Sequence, residues 1–301
     1  MTEILIKKKN VIMDSQILST LQACERLTDF RFNHNLQPIT GKGNSLEAGW
    51  LMHKYLEAYY RSIKEGIRGQ GAIDKAMAKG EIAIREGMDG NGLENTPVEN
   101  EKHPNGQLSR VGSAYVIDTF LQYCQFYKNE SWTPLEVEKV LNKVIYEDDT
   151  LRLMWKGKLD LITDTNQGIY PSDHKTMKQN RETLTLNNQF MGQCVLTEAR
   201  AVIINKVGWQ SSLKAEEKFK RVILSYSTAR LIEWMDIAVY YANYLVSLNE
   251  QDYWPPRFTH CDKFAGCIFR GVCESDPNMR NEEINLHFKV CEPWDVSDGE
   301  D

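Results

Sequence analysis

A mixed β-sheet flanked by helices, with a helical N-terminal part, is the α/β fold that this sequence predicts, and three observations predict it. Short β-rich runs at 135–146, 151–163 and 168–176 are separated only by Glu147-Asp148-Asp149 and by Asp164 to Gly168, which reads as a strand meander. The continuous apolar run Ala201-Val202-Ile203-Ile204 is typical of a central strand covered on both faces. Helical periodicity dominates before and after these strands.

Taken in order, Asp14 or Ser15 caps a helix whose apolar positions Ile17, Leu18, Leu21, Cys24 and Leu27 recur at three- and four-residue steps, placing Cys24 on its inward face. A second helix begins after Asn44, three residues before Glu47 in capping-box spacing, and carries Trp50, Leu51, His53, Leu56, Tyr59 and Tyr60. From 87 to 106 the chain is rich in Gly, Asn, Glu and Pro without periodicity and reads as an exposed loop. A third helix at about 108–127 closes this portion. After the meander come a helix at 186–199, the apolar strand, a strand at 221–226 and a long helix at 228–248. Beyond Trp254-Pro255-Pro256 lie a cysteine-bearing loop and an acidic tail.

The 301 residues are 42% hydrophobic and 26% charged, enough to bury a sizeable core. With 36 Lys and Arg against 42 Asp and Glu, the net charge of −6 excludes binding of nucleic acid by bulk charge, so an anionic partner must meet a local patch. No apolar run approaches the roughly 20 residues of a spanning helix, and Met1 to Asn10 has no leader pattern, which predicts a cytoplasmic protein off the membrane. Seven cysteines without an export signal point to thiols kept for metals, clusters or chemistry. Cys124 and Cys194 sit in apolar helical surroundings as small core residues.

Two acidic residues and a lysine fall in Gly157-Lys158-Leu159-Asp160 and Ser172-Asp173-His174-Lys175-Thr176, on strands expected to be adjacent. Side chains two apart on a strand share a face, so Asp173 and Lys175 point together and His174 points away. Pairing through the turn at Asn166-Gln167-Gly168 brings Asp160 beside Asp173. Two carboxylates so close repel unless a hard divalent cation lies between them, and the lysine can orient a water or offset charge on phosphorus. The plainer alternative makes Asp173 to Lys175 an ordinary turn and Asp160 a solvated strand residue. Glu136 and Glu138 read as strand-surface charges, with support of the metal site from behind its ligands as the lesser alternative, and Glu57, one turn after His53, as a group reaching a metal through water.

These strings resemble the PD-(D/E)xK nuclease superfamily, in particular its RecB-like exonuclease branch, which includes the CRISPR-associated and AddB-type iron-sulfur nucleases. That branch has a helix carrying Gly-x-x-x-His before the strands, matched by Gly49-Trp50-Leu51-Met52-His53. The resemblance implies a restriction-endonuclease-like core. It also implies His53, Asp160 and Asp173 as ligands to Mg²⁺ or Mn²⁺, with the backbone carbonyl of His174 added, and Lys175 as the catalytic lysine. Gln189 matches the first position of the branch's Gln-x-x-x-Tyr helix, a nucleic-acid-binding position, and Gln193 stands where the tyrosine is expected.

Cys261, Cys267 and Cys273 recur at equal spacing in a loop, with Phe264 and Phe269 between them. Three thiolates need a fourth ligand, which Cys24 or Cys291 can supply for a [4Fe-4S] cluster and Cys24 or His260 for zinc, the plainer alternative being three free buried thiols. The resemblance favours Cys24 and an iron-sulfur cluster that staples the two ends of the chain. Basic residues Lys156, Lys158, Lys178, Arg181, Lys206, Lys214 and Lys218 to Arg221 are candidates for a DNA-binding face, and Trp155, Tyr170 and Trp209 for base stacking.

The expected organisation is one nuclease domain over 1–301, mainly helical in 1–130, strand-rich and catalytic in 131–227, with a helix, cysteine loop and acidic tail in 228–301. The expected activity is a metal-dependent deoxyribonuclease, an exonuclease on single-stranded or end-accessible DNA, with assembly into a homo-oligomer or with a recombination or replication protein left open. The alternative is a non-catalytic, cluster-stapled nucleic-acid-binding subunit of a recombination or repair complex.

Overall fold

The computed structural model describes residues 8–39, 44–87, 112–177, 185–263 and 266–295. Its elements run β1 (Lys9–Met13), α1 (Ser15–Ala23), α2 (Glu25–Thr28), β2 (Leu36–Pro38), α3 (Asn44–Lys64), α4 (Gln70–Glu86) and α5 (Ser113–Phe126). They continue through β3 (Thr133–Glu147), β4 (Leu151–Thr165), β5 (Gly168–Met177), α6 (Asn188–Thr197), β6 (Ala201–Gly208), α7 (Ala215–Lys218) and β7 (Phe219–Ser225). The last are α8 (Thr228–Gln251), α9 (Arg270–Glu274), α10 (Arg280–His287) and β8 (Phe288–Val290). The expected loop beyond residue 87, the segment 108–111, Lys178, Arg181 and Phe264 lie outside the described residues.

The predicted mixed sheet flanked by helices is what forms. Its strand order is β1-β4-β5-β6-β7, with β3 also on β4. The meander is antiparallel, β5 and β6 are parallel, and β6 and β7 are antiparallel. All eight residues of β6 are buried, as an apolar run covered on both faces requires. One core packs α3, α4 and α5 on the sheet through Tyr55, Tyr60, Phe120 and Val207, and a second packs α6 and α8 through Trp155, Cys194, Ile204 and Trp234.

Strand β4 builds the site. It pairs with β3 from Arg152 to Asp164, whereas its other edge is shared: β1 takes Leu151 to Trp155 and β5 takes Leu161 to Thr165. Past Ser172 strand β5 leaves β4 for β6. Asp160 therefore lies at a fork, where neither β1 nor β5 is hydrogen-bonded to β4.

Three features depart from the sequence reading. Cys24 is not within a helix: its extended backbone (φ −167°) ends α1 at Ala23 and starts α2 at Glu25, although its side chain is buried as expected. Strand β1 was not anticipated, and neither was α4. The buried positions of α4 are Ala72, Ala76, Gly80 and Ala83, too small to give an apolar stripe. They are small because α3 lies against them, and a Cβ at Gly80 would sit 2.0 Å from the Tyr55 ring.

Candidate metal centre

Helix α3 supplies His53. Gly49, one turn earlier, lets the helix pass close over β5, since a Cβ there would meet Thr176 Oγ1 at 2.9 Å. The Gly-x-x-x-His spacing thus has a physical cause: the glycine sets the approach and the histidine, one turn on, reaches the fork. His53 Nδ1 lies 3.6 Å from Asp160 Oδ2. Among the described residues, His53, Glu138 and Asp160 form a group whose ligand atoms all lie within 4.8 Å of one another.

Glu138 joins the candidate ligands, where the sequence offered it at most a supporting place. Strict alternation along β3 puts it with Glu136 on the surface, and Glu136 indeed pairs with Lys64 at an exposed position. The backbone of Glu138, however, has a φ of +52°, a left-handed conformation inside a strand. Flanked by the pairs Val137 with Leu161 and Lys139 with Leu159, it turns its carboxylate inward beside Asp160. Strain of this kind persists where the surrounding structure enforces it, and it gathers at functional sites. A glutamate carries no local signal for such a backbone, so composition and periodicity were silent.

Asp160 and Asp173 come from the paired strands, as the meander implied. Asp160 Oδ2 accepts the backbone N–H of His174 at 2.7 Å. Asp173 is fully buried, and Lys175 Nζ lies 2.7 Å from its Oδ2. Its Oδ1 accepts hydrogen bonds from Gln189 Nε2 (2.7 Å) and Gln193 Nε2 (3.1 Å), and Lys175 also donates to Gln189 Oε1 at 2.9 Å. Gln189 therefore spends both ends of its amide on the Asp173–Lys175 pair, not on the surface, and Gln193 takes up Asp173 where the motif would have a tyrosine. Glu57 lies between Lys54 and Arg61.

His174 points away, as the strand period requires. Its ring stacks on Tyr60 with centroids 5.5 Å apart, and its Nδ1 is 2.8 Å from Asn205 Nδ2. The polar network continues through Tyr123 and Tyr60 to Arg221 and Glu130, with the Arg221 guanidinium 3.7 Å and 3.6 Å over the Tyr127 and Trp132 rings. Arg221 is thus a core cation and not part of a binding face. Lys206 and Lys218 are likewise buried, and Lys156 pairs with Asp295. Trp155 and Trp209 are buried too, and Tyr170 bonds the carbonyl of Gln167 across its own turn, so none of the three is presented as a stacking platform.

The electrostatics suit a divalent cation. Burial, and then the neighbouring Asp173, push the Asp160 carboxyl up to about 7. Burial and Asp160 do the same to Glu138, also to about 7. Burial and then Lys175 lower His53, leaving a neutral imidazole suited to ligation. For Lys175, burial alone would lower the value, but Asp173 and Asp160 outweigh it and keep the ammonium charged. Two oxygen donors and an imidazole in one half-buried group suit Mg²⁺ or Mn²⁺.

The cysteines of the two chain ends also meet. Cys24, Cys261 and Cys273 all lie close enough to Cys267 to act on its thiol electrostatically. Burial raises Cys267 and Cys273, while hydrogen bonding from Arg26 works the other way on Cys273. The backbone N–H of Arg257 donates to Cys24 Sγ at 3.3 Å. The backbone N–H of Cys291 donates to the Asn35 carbonyl. Nearby, β2 and β8 pair, and Phe269 packs on Phe30 and Phe288.

A sequence model of the PD-(D/E)XK nuclease superfamily matches residues 16–274. The chain belongs to that superfamily. Membership in this nuclease superfamily accounts for the sheet, the fork and the acidic group together. No curated protein matches the chain. Among solved structures, a protein from Eubacterium rectale provisionally described as an exonuclease is similar at 12% identity and a TM-score of 0.48, over 83% of this chain and 86% of that one. SSO0001 is similar at 16% identity and a TM-score of 0.31, over 54% and 70%. Neither likeness bears on substrate. No helix among the described residues is long and apolar enough to cross a membrane.

Proposed function

We propose that this PD-(D/E)XK protein is a divalent-cation-dependent deoxyribonuclease, an exonuclease on single-stranded or end-accessible DNA. The observation that carries the reading is the convergence of His53, Glu138 and Asp160 on one point beside the Asp173–Lys175 pair. His53, Glu138 and Asp160 would hold Mg²⁺ or Mn²⁺, with Asp173 and the His174 carbonyl adjoining. A cation bound there supplies Lewis acidity toward phosphate and a water of lowered pKa.

The remaining chemistry belongs to the chain itself. Lys175, charged and held between Asp173 and Gln189, has protons to donate and none to take, so it orients a nucleophilic water or stabilises charge on phosphorus instead of serving as a general base. Gln189 and Gln193 fix Asp173 in place, and Gln189 acts on a nucleic-acid strand through the lysine it positions.

Cys24, Cys261, Cys267 and Cys273 are proposed to hold a [4Fe-4S] cluster. Supporting this, Cys24, Cys261 and Cys273 gather around Cys267, and Arg257 N–H and Arg26 supply hydrogen bonds to two of the sulfurs. Zinc, with Zn–S bonds of about 2.3 Å, needs sulfurs roughly 4 Å apart. Among the described residues no three cysteine sulfurs lie within 4.8 Å of one another.

The test is digestion of end-labelled linear and circular DNA, single-stranded and duplex, with Mg²⁺, Mn²⁺ or EDTA. Linear DNA is expected to be degraded only with a divalent cation, and Lys175→Ala and Asp173→Ala to lower the rate by at least about a thousandfold with the fold intact. Binding without degradation would point instead to the non-catalytic nucleic-acid-binding subunit.

A further inference from the structure

Beside the acidic group lies a cavity of about 350 Å³, lined by Glu57, Arg61 and Lys64 of α3, Glu136 to Lys139 of β3, and Lys158 of β4. Glu138 belongs both to this cavity and to the candidate metal group, so the two sites share a wall. Four cationic side chains face three carboxylates there. The pairing is specific: Arg61 with Glu57 at 3.0 Å, Lys64 with Glu136 at 2.6 Å, and Lys158 with Glu138 at 3.1 Å. The last pair is the least exposed, at 18% and 15%.

Glu138 cannot serve a lysine and a cation equally. A divalent ion held beside His53 and Asp160 would compete with the half-buried ammonium of Lys158 for the Glu138 carboxylate and weaken that pair. The surplus of positive charge in the cavity then rises from one toward two. A buried cation without a partner is costly, and a phosphate oxygen is the anion a nucleic-acid strand would bring.

We propose that this cavity is a phosphate subsite, in which Lys158, Arg61 and Lys64 hold a phosphate of the strand next to the one being cut, and that cation binding switches it on by releasing Lys158 from Glu138. The proposal rests on the nuclease reading above and deepens it. It makes DNA binding and cation binding cooperative through one carboxylate, which links the two sites thermodynamically.

The experiment is fluorescence anisotropy of a labelled single-stranded oligonucleotide with the intact protein, in Ca²⁺ or in EDTA, over a range of salt concentrations. Digestion by the wild type in Mg²⁺ is measured alongside. In Ca²⁺, Lys158→Gln and Arg61→Gln are each expected to weaken binding about tenfold, the size of one charge-assisted contact. Each should also reduce the salt slope by about 0.7, the value for one phosphate contact on a single strand. In EDTA, Lys158→Gln should weaken binding by only about threefold, because Glu138 already holds the lysine, while Glu138→Gln should bind about threefold tighter. A merely structural lysine would not change the salt slope.

Oligonucleotides with a 5′-phosphate, with a 5′-hydroxyl and in closed circles separate the sources of the phosphate. A loss confined to the 5′-phosphate places a strand end in the cavity; an equal loss on all three places an internal phosphodiester there. If Lys158→Gln does not fold, the exposed Arg61→Gln and Lys64→Gln carry the same test, and melting temperatures report folding. Wild-type affinity and slope in Ca²⁺ for Arg61→Gln and Lys158→Gln, in a wild type that digests DNA, would overturn the subsite and leave the nuclease standing. Altered slopes in a protein that digests nothing would keep the subsite and sink the nuclease.

Discussion

Asp160 is held in the folded chain at a cost. Its carboxyl sits at about 7, raised by burial and by Asp173, whereas an unfolded aspartate lies near about 4. The folded protein therefore binds more protons between those values, and in EDTA its stability must fall as pH rises from about 4 to about 7. Asp160→Asn removes the charge and keeps an oxygen for the His174 N–H. Above about pH 7 in EDTA the variant is expected to be more stable than the wild type by roughly 1–3 kcal/mol, with the gap closing toward pH 4. Thermal melts across that range decide it, and a variant less stable at every pH contradicts the account. At this scale the sequence was informative where chemistry is tied to a short turn. Asp160, Asp173 and Lys175 sit on two strands joined by a tight connection, so their spacing fixes their meeting. Glu138 was illegible as a ligand because it reaches the site through a left-handed backbone that breaks the strand period.

At the scale of elements, the strands and long helices were legible wherever their apolar residues are large. Strands β3, β4 and β5 fall within a few residues of their predicted runs, and β6 is buried along its whole length. Helix α4 and strand β1 were not legible, for different reasons. The buried face of α4 is built of alanine and glycine to admit α3. Strand β1 has the burial pattern of an edge strand, two positions in five, and its identity depends on the distant partner Leu151 to Trp155. The approach of α3 to β5 at Gly49 was visible only as a motif; its cause, the Thr176 hydroxyl in the space a side chain would fill, is a tertiary fact.

Over the whole molecule, the two ends of the chain meet in two places. One is the pairing of β2 with β8 beneath Phe30, Phe269 and Phe288. The other is the meeting of Cys24 with the three cysteines of the C-terminal loop, beside an ion pair in which Arg257 grips the buried Glu25. If those thiolates bind a cluster, anaerobically purified protein is brown, contains iron and absorbs broadly in the visible, and Cys267→Ser loses the colour and melts lower by several degrees. Colourless protein with zinc would replace the cluster by a single ion, and metal-free protein whose Cys267→Ser variant melts like the wild type would remove the staple.

In the proposed reading the chemistry sits at the fork around Asp160 and not at the cysteine site. Calorimetric titration of Mn²⁺ into EDTA-stripped protein tests it most directly. The account predicts saturable binding by the wild type that weakens at least about tenfold in His53→Ala, Glu138→Gln and Asp160→Asn, each a lost ligand, while Glu136→Gln, whose carboxylate pairs with Lys64 outside the ligand group, binds like the wild type. Undiminished binding by the first three variants would contradict it.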